Sequence, residues 1–324
     1  MNRFISKLCM ALTFIVAPAH AQGQTTPLSF PSKAIRIIVP SGTGLTNDIW
    51  CRLLAQKLNE RLGWTTLVEN RPGGNYVIGY QALTNSPADG HTVLSAVSSM
   101  PVVQNTMKPQ PFDMRRDMMP ITRAVNVQLI LVANNEQPFK TAGDLVKYAK
   151  ANPGKLSYGA LNLGSLTHLA GELFKQVAGI DMVNVPYNGE ALVLDTISGR
   201  LQAAVLTTSS TGSHIQSGRL IGLAILGPNR SPILPSVPTV AEAGLPAIDA
   251  DGWQGLAVRT GTSQPIFDRL QREITTVLQS DDFQGRLKAL GALPVSETPE
   301  QFRKKIESDL NSWAKLVASG KVQF

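Results

Sequence analysis

The chain has 324 residues and a formal net charge of +7, with 30 Lys and Arg against 23 Asp and Glu. Its basic residues are scattered rather than striped among aromatics, which excludes a nucleic-acid groove; no partner of that kind is expected. Two cysteines, Cys9 and Cys51, leave no internal disulfide once a leader is removed.

That leader is the first segment. Arg3 and Lys7 form a basic n-region, Leu8 to Ala17 a short apolar stretch, and Ala19-His20-Ala21 a cleavage signal. The mature chain is expected to start at Gln22 in the periplasm, and no second stretch is long enough to cross a membrane. The length after residue 21 suits two domains.

Strand-like and helix-like segments then alternate, predicting an α/β fold with mostly parallel strands. Ile35–Pro40 reads as a strand, Ser41–Asn47 as a Gly/Ser/Thr loop, and a helix from about Asp48 carries Ile49, Leu53, Leu54, Leu58 and Leu62 before stopping at Gly63. Thr65–Val68 is a strand, Arg71–Asn75 a turn, Ile78–Thr84 a helix and His91–Ala96 a strand. Val125–Ala133 reads as one buried apolar strand, and Thr141 as the N-cap of a helix over Ala142–Lys150.

The first pattern then repeats. Leu156–Ala160 is strand-like, Leu161–Thr167 a polar loop, and His168–Val177 a helix with Leu169, Leu173 and Val177 on its core side. Strands follow at Met182–Val185, Ala203–Leu206 and Leu220–Leu226, around an apolar segment Val193–Ile197. A Pro-rich stretch leads to helices at Pro265–Leu278, Asp281–Leu290 and Pro299–Ala318. Two strand–loop–helix units, each pointing N–H groups and a positive helix end at one spot, suggest a cleft gripping an anion from both sides. If Val125–Ala133 and Leu220–Leu226 are the crossings between two lobes, the lobes are 22–130 plus 226–324, and 131–225.

Several segments together resemble the periplasmic solute-binding proteins of the tripartite tricarboxylate transporter family, also called the Bug family. They are Pro31–Pro40, Val68-Glu69-Asn70-Arg71-Pro72-Gly73-Gly74, Pro87-Ala88-Asp89-Gly90 and Tyr148–Leu156. His168–Phe174, Val185-Pro186-Tyr187 and Val237–Gly244 continue the resemblance, which covers essentially the whole mature chain. It implies a two-lobed periplasmic binding protein (a Venus flytrap of type II) that captures a small carboxylate and delivers it to membrane transporter subunits. No cofactor, metal or chemistry is implied, and a monomer is expected. Delivery to a membrane sensor stays open, as does a secreted hydrolase, although no G-x-S-x-G elbow or H-E-x-x-H helix is present.

Carried onto this chain, the resemblance gives Ser41, Gly42, Thr43, Gly44, Thr46 and Asn47 as ligand contacts in the first loop. It gives Asn162, Gly164, Ser165, Thr167 and His168 in the second, with Ser98, Tyr187 and Thr207 beside them. Ser165 has two compatible roles, capping its helix and donating its backbone N–H to a carboxylate. Tyr187 is either a cleft wall or a core aromatic. The pair His168 and Glu172 has metal-like spacing but lacks a third ligand. The chain departs from the family at Ser41, usually aromatic; at Leu45 and Thr46, usually in a Gly run; at Asn162, commonly Gly; and at Asn188, usually Lys. Leu206-Thr207 replaces an Asp-Asn pair able to hold a ligand amine, which points to a di- or aromatic carboxylate without one.

Overall fold

The computed structural model describes residues 30–187, 191–289 and 292–318. The leader and Asn188 lie outside them. The chain begins β1 (Ile35–Val39), α1 (Thr46–Leu62), β2 (Thr66–Asn70), α2 (Val77–Thr84), β3 (Thr92–Val97), α3 (Met100–Thr106), α4 (Met114–Asp117) and β4 (Met118–Val127). It continues β5 (Leu129–Asn134), α5 (Ala142–Ala151), β6 (Ser157–Leu161), α6 (Leu166–Ala178), β7 (Val183–Tyr187), α7 (Ala191–Ile197), β8 (Ala203–Thr207), α8 (Thr208–Gln216) and β9 (Leu220–Ile225). The last elements are β10 (Gly252–Arg259), α9 (Gln264–Leu278), α10 (Asp281–Ala289), β11 (Leu293–Pro294) and α11 (Pro299–Ala318).

The strands form two sheets, ordered β11-β4-β10-β3-β1-β2 and β7-β6-β8-β5-β9. β1 pairs in parallel with β2 and β3, and β6 with β7 and β8. In each sheet one antiparallel strand is wedged in: β10 between β3 and β4, and β5 between β8 and β9. Both wedged strands follow a crossing between the sheets. The expectation of mostly parallel strands is therefore corrected at β10 and β5, and again at the short edge strand β11, which pairs antiparallel with β4.

The run Val125–Ala133 is not one strand. It breaks at Gln128, with β4 in the first sheet and β5 in the second. β5 is buried throughout, as a strand covered on both faces must be. The return crossing also falls later than residue 226. Leu226, Val240, Ile248 and Ala250 pack in the core of the second sheet, so the chain changes sheets at about Asp251. There the Asp251 carboxylate accepts from Asn126 Nδ2 at 3.1 Å, tying the two crossings together. Burial pushes that carboxyl up to about 6, more than the Asn126 bond takes back.

Helices cover both faces of each sheet. Phe267, Leu270, Ile274 and Val277 of α9 recur at helical spacing and pack with Trp50, Leu54 and Leu58 of α1 on one face of the first sheet. Phe302, Ile306 and Leu310 of α11 cover the other face with Trp253. Where the two halves meet, Val102 of α3 and Leu169 of α6 are buried against each other beside Trp313 of α11.

Candidate functional site

The two strand–loop–helix units share one local device. In the first, Gly44 takes φ +81°, a left-handed conformation that favours glycine, and its N–H donates to Asp48 Oδ2 at 2.9 Å. In the second, Gly164 takes φ +76° and its N–H donates to His168 Nδ1 at 3.1 Å. Each loop is thus locked by a side chain four residues on, in the first turn of the following helix.

The first lock is reinforced from β2. Asn70 Nδ2 donates to Asp48 Oδ1 at 2.9 Å and to the Ser41 carbonyl at 3.1 Å, and Arg52 Nε donates to Asp48 Oδ2 at 3.0 Å. Burial raises the Asp48 carboxyl, but the bonds from Arg52, Gly44 and Asn70 together outweigh it and hold the group below its ordinary value. The helix itself, α1, opens at Leu45 with no side-chain cap, leaving its first N–H groups to other acceptors.

The second loop is more self-contained. Ser165 caps α6 by accepting from the His168 N–H at 3.2 Å, and its hydroxyl donates to the Leu161 carbonyl at 2.6 Å. Its own backbone N–H donates to the Asn162 carbonyl at 2.9 Å, so it is not offered to a ligand as expected. Thr167 Oγ1 accepts from the Leu161 N–H at 3.0 Å. Burial holds the His168 imidazole below its usual value, in keeping with an Nδ1 that accepts from Gly164.

A cleft of about 330 Å³ lies between these loops. One side is Pro40 and Ser41, the turn Gly73 to Tyr76, and Val103 and Thr106 of α3; the other is Asn162 to Ser165. None of these side chains is charged. The Ser41 hydroxyl is buried without a partner. Asn75 and Tyr76 both sit at positive φ, +50° and +72°, a strained arrangement for side-chain-bearing residues that is held at the cleft wall. A second, smaller cavity of about 40 Å³ lies at the crossings, lined by Thr46, Asn126, Gln128, Thr207, Thr208, Ser209 and Gln254, among others.

The expected contacts therefore divide. Ser41, Asn162, Gly164 and Ser165 line the cleft, while Thr46 and Thr207 line the crossing cavity. Gly42, Thr43 and Gly44 line neither. Asn47 is buried, its Oδ1 accepting from Ser95 Oγ at 2.6 Å, which anchors α1 to β3. Thr167 and His168 are buried and hold the second loop rather than facing the cleft. Ser98 is buried, with its N–H on the Trp253 carbonyl at 3.0 Å. Tyr187 is half-buried against the second sheet's core, lines neither cavity, and its hydroxyl donates to Asp195 at 2.9 Å. Glu172 accepts from Tyr158 and Lys175, at 2.8 and 2.9 Å, and so braces α6 rather than pairing with His168. The turn at Gly73–Tyr76 was readable as a third strand–Gly loop–helix unit, and α3 was not readable as a wall.

The model of the family described as "Tripartite tricarboxylate transporter family receptor" matches residues 50–321. Protein BugT of Bordetella pertussis is 34% identical over 316 residues, covering 97% of both chains. Among solved structures, one described as a periplasmic transporter is 32% identical with a TM-score of 0.82, covering 91% of this chain and 99% of the other. The R. palustris protein Rpa4515, solved with adipate, is 28% identical with a TM-score of 0.81, covering 89% of this chain and 97% of its own.

Proposed function

The chain belongs to the tripartite tricarboxylate transporter receptor family, and from that premise we propose that it captures a small organic carboxylate lacking an ammonium group. It works in the periplasm, reached through the N-terminal leader, and hands the ligand to a membrane transporter without transforming it. The lobes are the first sheet with its helices, through residue 127 and again from 252, and the second sheet with residues 129–250.

The observation that carries this reading is the cleft lining. Neutral residues from both halves line it, Ser41 and Thr106 on one side and Asn162 and Ser165 on the other, with no carboxylate to hold an amine. Such a site stabilises an anion through hydroxyl, amide and N–H dipoles, and offers an ammonium no counter-ion. The R. palustris relative solved with adipate is consistent with a dicarboxylate of that kind. The imidazole of His168 has its Nδ1 committed to Gly164, which favours binding over catalysis. A thermal-shift screen of the mature protein tests the reading. A fitting carboxylate at a hundred times its Kd adds about 2.7 kcal/mol of stability. A screen in which sugars or amino acids raise the melt and no simple carboxylate does would sink it.

A further inference from the structure

The helix α11 is fastened to one sheet and touches the core of the other. Its Phe302, Ile306 and Leu310 are buried in the core of the first sheet. Asn105 Nδ2 of α3 donates to the Leu310 carbonyl at 3.2 Å, and Arg115 Nη2 donates to Asn311 Oδ1 at 2.8 Å, so the helix is held on that side as far as Asn311. Two residues on, Trp313 packs against the core of the second sheet and against the buried pair Val102 and Leu169. The position of this contact can be read along α3. Ser98, Val102 and Thr106 follow one another at four-residue spacing, from just before the helix to its end. Ser98 Oγ and Leu166 Cδ2 close over Gly252 at the second crossing, where an added Cβ would lie 2.8 and 2.5 Å from them. Val102 meets Leu169, and Thr106 lines the cleft. The apolar contact therefore stands between the crossing and the cleft, and a motion that opens the cleft about the crossings parts Val102 from Leu169 and Trp313 from the second sheet's core.

We propose that Trp313 is a positioning residue for ligand capture: it holds the two lobes together beside the cleft, so that affinity is set in part by a side chain that is not among the cleft-lining residues. The proposal rests on the reading above, in which a carboxylate is gripped between the lobes. The apolar surface that Trp313 covers with Val102 and Leu169 stays out of water only while the lobes are together, which favours that arrangement. A ligand gripped from both sides binds that arrangement alone, so its apparent affinity scales with the fraction of molecules already in it. Once bound, the ligand leaves only when the contact opens, so the contact acts on release rather than on encounter.

Calorimetry and stopped-flow kinetics on Trp313→Ala test this, with the tightest binder among succinate, adipate and benzoate as the probe. Affinity is expected to fall about tenfold. The loss should lie in faster dissociation, with the association rate kept within about twofold. Trp313→Phe, which restores an aromatic contact, should recover most of the affinity. Small-angle scattering of the ligand-free proteins should give a larger radius of gyration for Trp313→Ala than for the parent. A Trp313→Ala variant that melts lower but binds and releases the probe as the parent does would make Trp313 a residue of the fold alone, and would overturn the proposal. A loss confined to the association rate, or one that Trp313→Phe leaves uncorrected, would overturn it too. If Trp313→Ala does not fold, Trp313→Leu takes its place under the same criteria. Should none of the three acids bind the parent, the carboxylate reading fails, and scattering alone judges the contact: equal radii in parent and variant would overturn it.

Discussion

Trp253→Ala is expected to lower the stability of the folded protein by about 3–5 kcal/mol, the usual cost of truncating a fully buried aromatic. Trp253 is fully buried in β10, the strand that re-enters the first sheet after the second crossing. Its ring meets Phe302 of α11 edge to face, with centroids 4.9 Å apart. Its Nε1 donates to Asp309 Oδ2 at 2.6 Å, so the side chain fastens the C-terminal helix to the sheet by packing and by polarity. Removing it leaves a cavity and takes one donor from the Asp309 carboxylate, which keeps Lys305 Nζ at 3.0 Å. Trp253→Phe keeps most of the packing and should cost less, mainly the lost bond to a charged acceptor, about 1.5–3 kcal/mol. Urea unfolding of both variants separates the two contributions. A Trp253→Ala variant within about 1 kcal/mol of the parent would mean that α11 does not depend on this anchor.

On the binding side, Ser41→Asp should have the largest effect. The substitution places a carboxylate at Ser41, a neutral residue of the cleft lining. Two like charges about 4 Å apart repel by about 4 kcal/mol at an effective dielectric of 20. Allowing for screening in an open cleft, affinity for a carboxylate should fall at least a hundredfold. Ser41→Asn, of similar size and uncharged, should retain binding within about tenfold, since it exchanges one neutral hydrogen bond for another. Calorimetry on the two variants makes the comparison. Equal losses would point to shape rather than charge, and unchanged affinity in Ser41→Asp would remove the first loop from the site.

Much of the fold is legible in the sequence because its signals are local. The apolar spacing of α1 and α9, the Thr141 cap that accepts from the Asp144 N–H at 3.1 Å, and the paired loops at Gly44 and Gly164 need no tertiary context. What escapes is set by distant neighbours. Val125 to Ala133 reads as one strand because both halves are apolar, and only its placement in two sheets shows Gln128 to be the joint. β10 is not picked out among the predicted elements, its apolar residues being interrupted by Gly252 and Gly255. The lack of a side chain at Gly255 is what lets Phe302 pack closely, since a Cβ there would lie 2.5 Å from its ring. α8, rich in Ser and Thr, has weak helix propensity and leans on its Thr207 cap. At the site, residue type alone could not tell a polar side chain that faces a ligand from one that holds a loop. Asn47, Thr167 and His168 have the chemistry of ligand contacts and are buried in the scaffold beneath them. Tyr76, Val103 and Thr106 lie outside the two polar loops and form the walls.

The central claim is that the cleft recognises a negative charge with neutral donors. The most direct test is to titrate the mature protein with the best carboxylate of the screen and with its methyl ester (the full ester, if it is a dicarboxylate). The two share shape and differ in charge. Hydrogen bonds to a charged group are worth roughly twice those to a neutral one. The acid should bind one molecule per chain and the ester at least a hundredfold more weakly; an ester that binds as tightly as the acid would contradict the account.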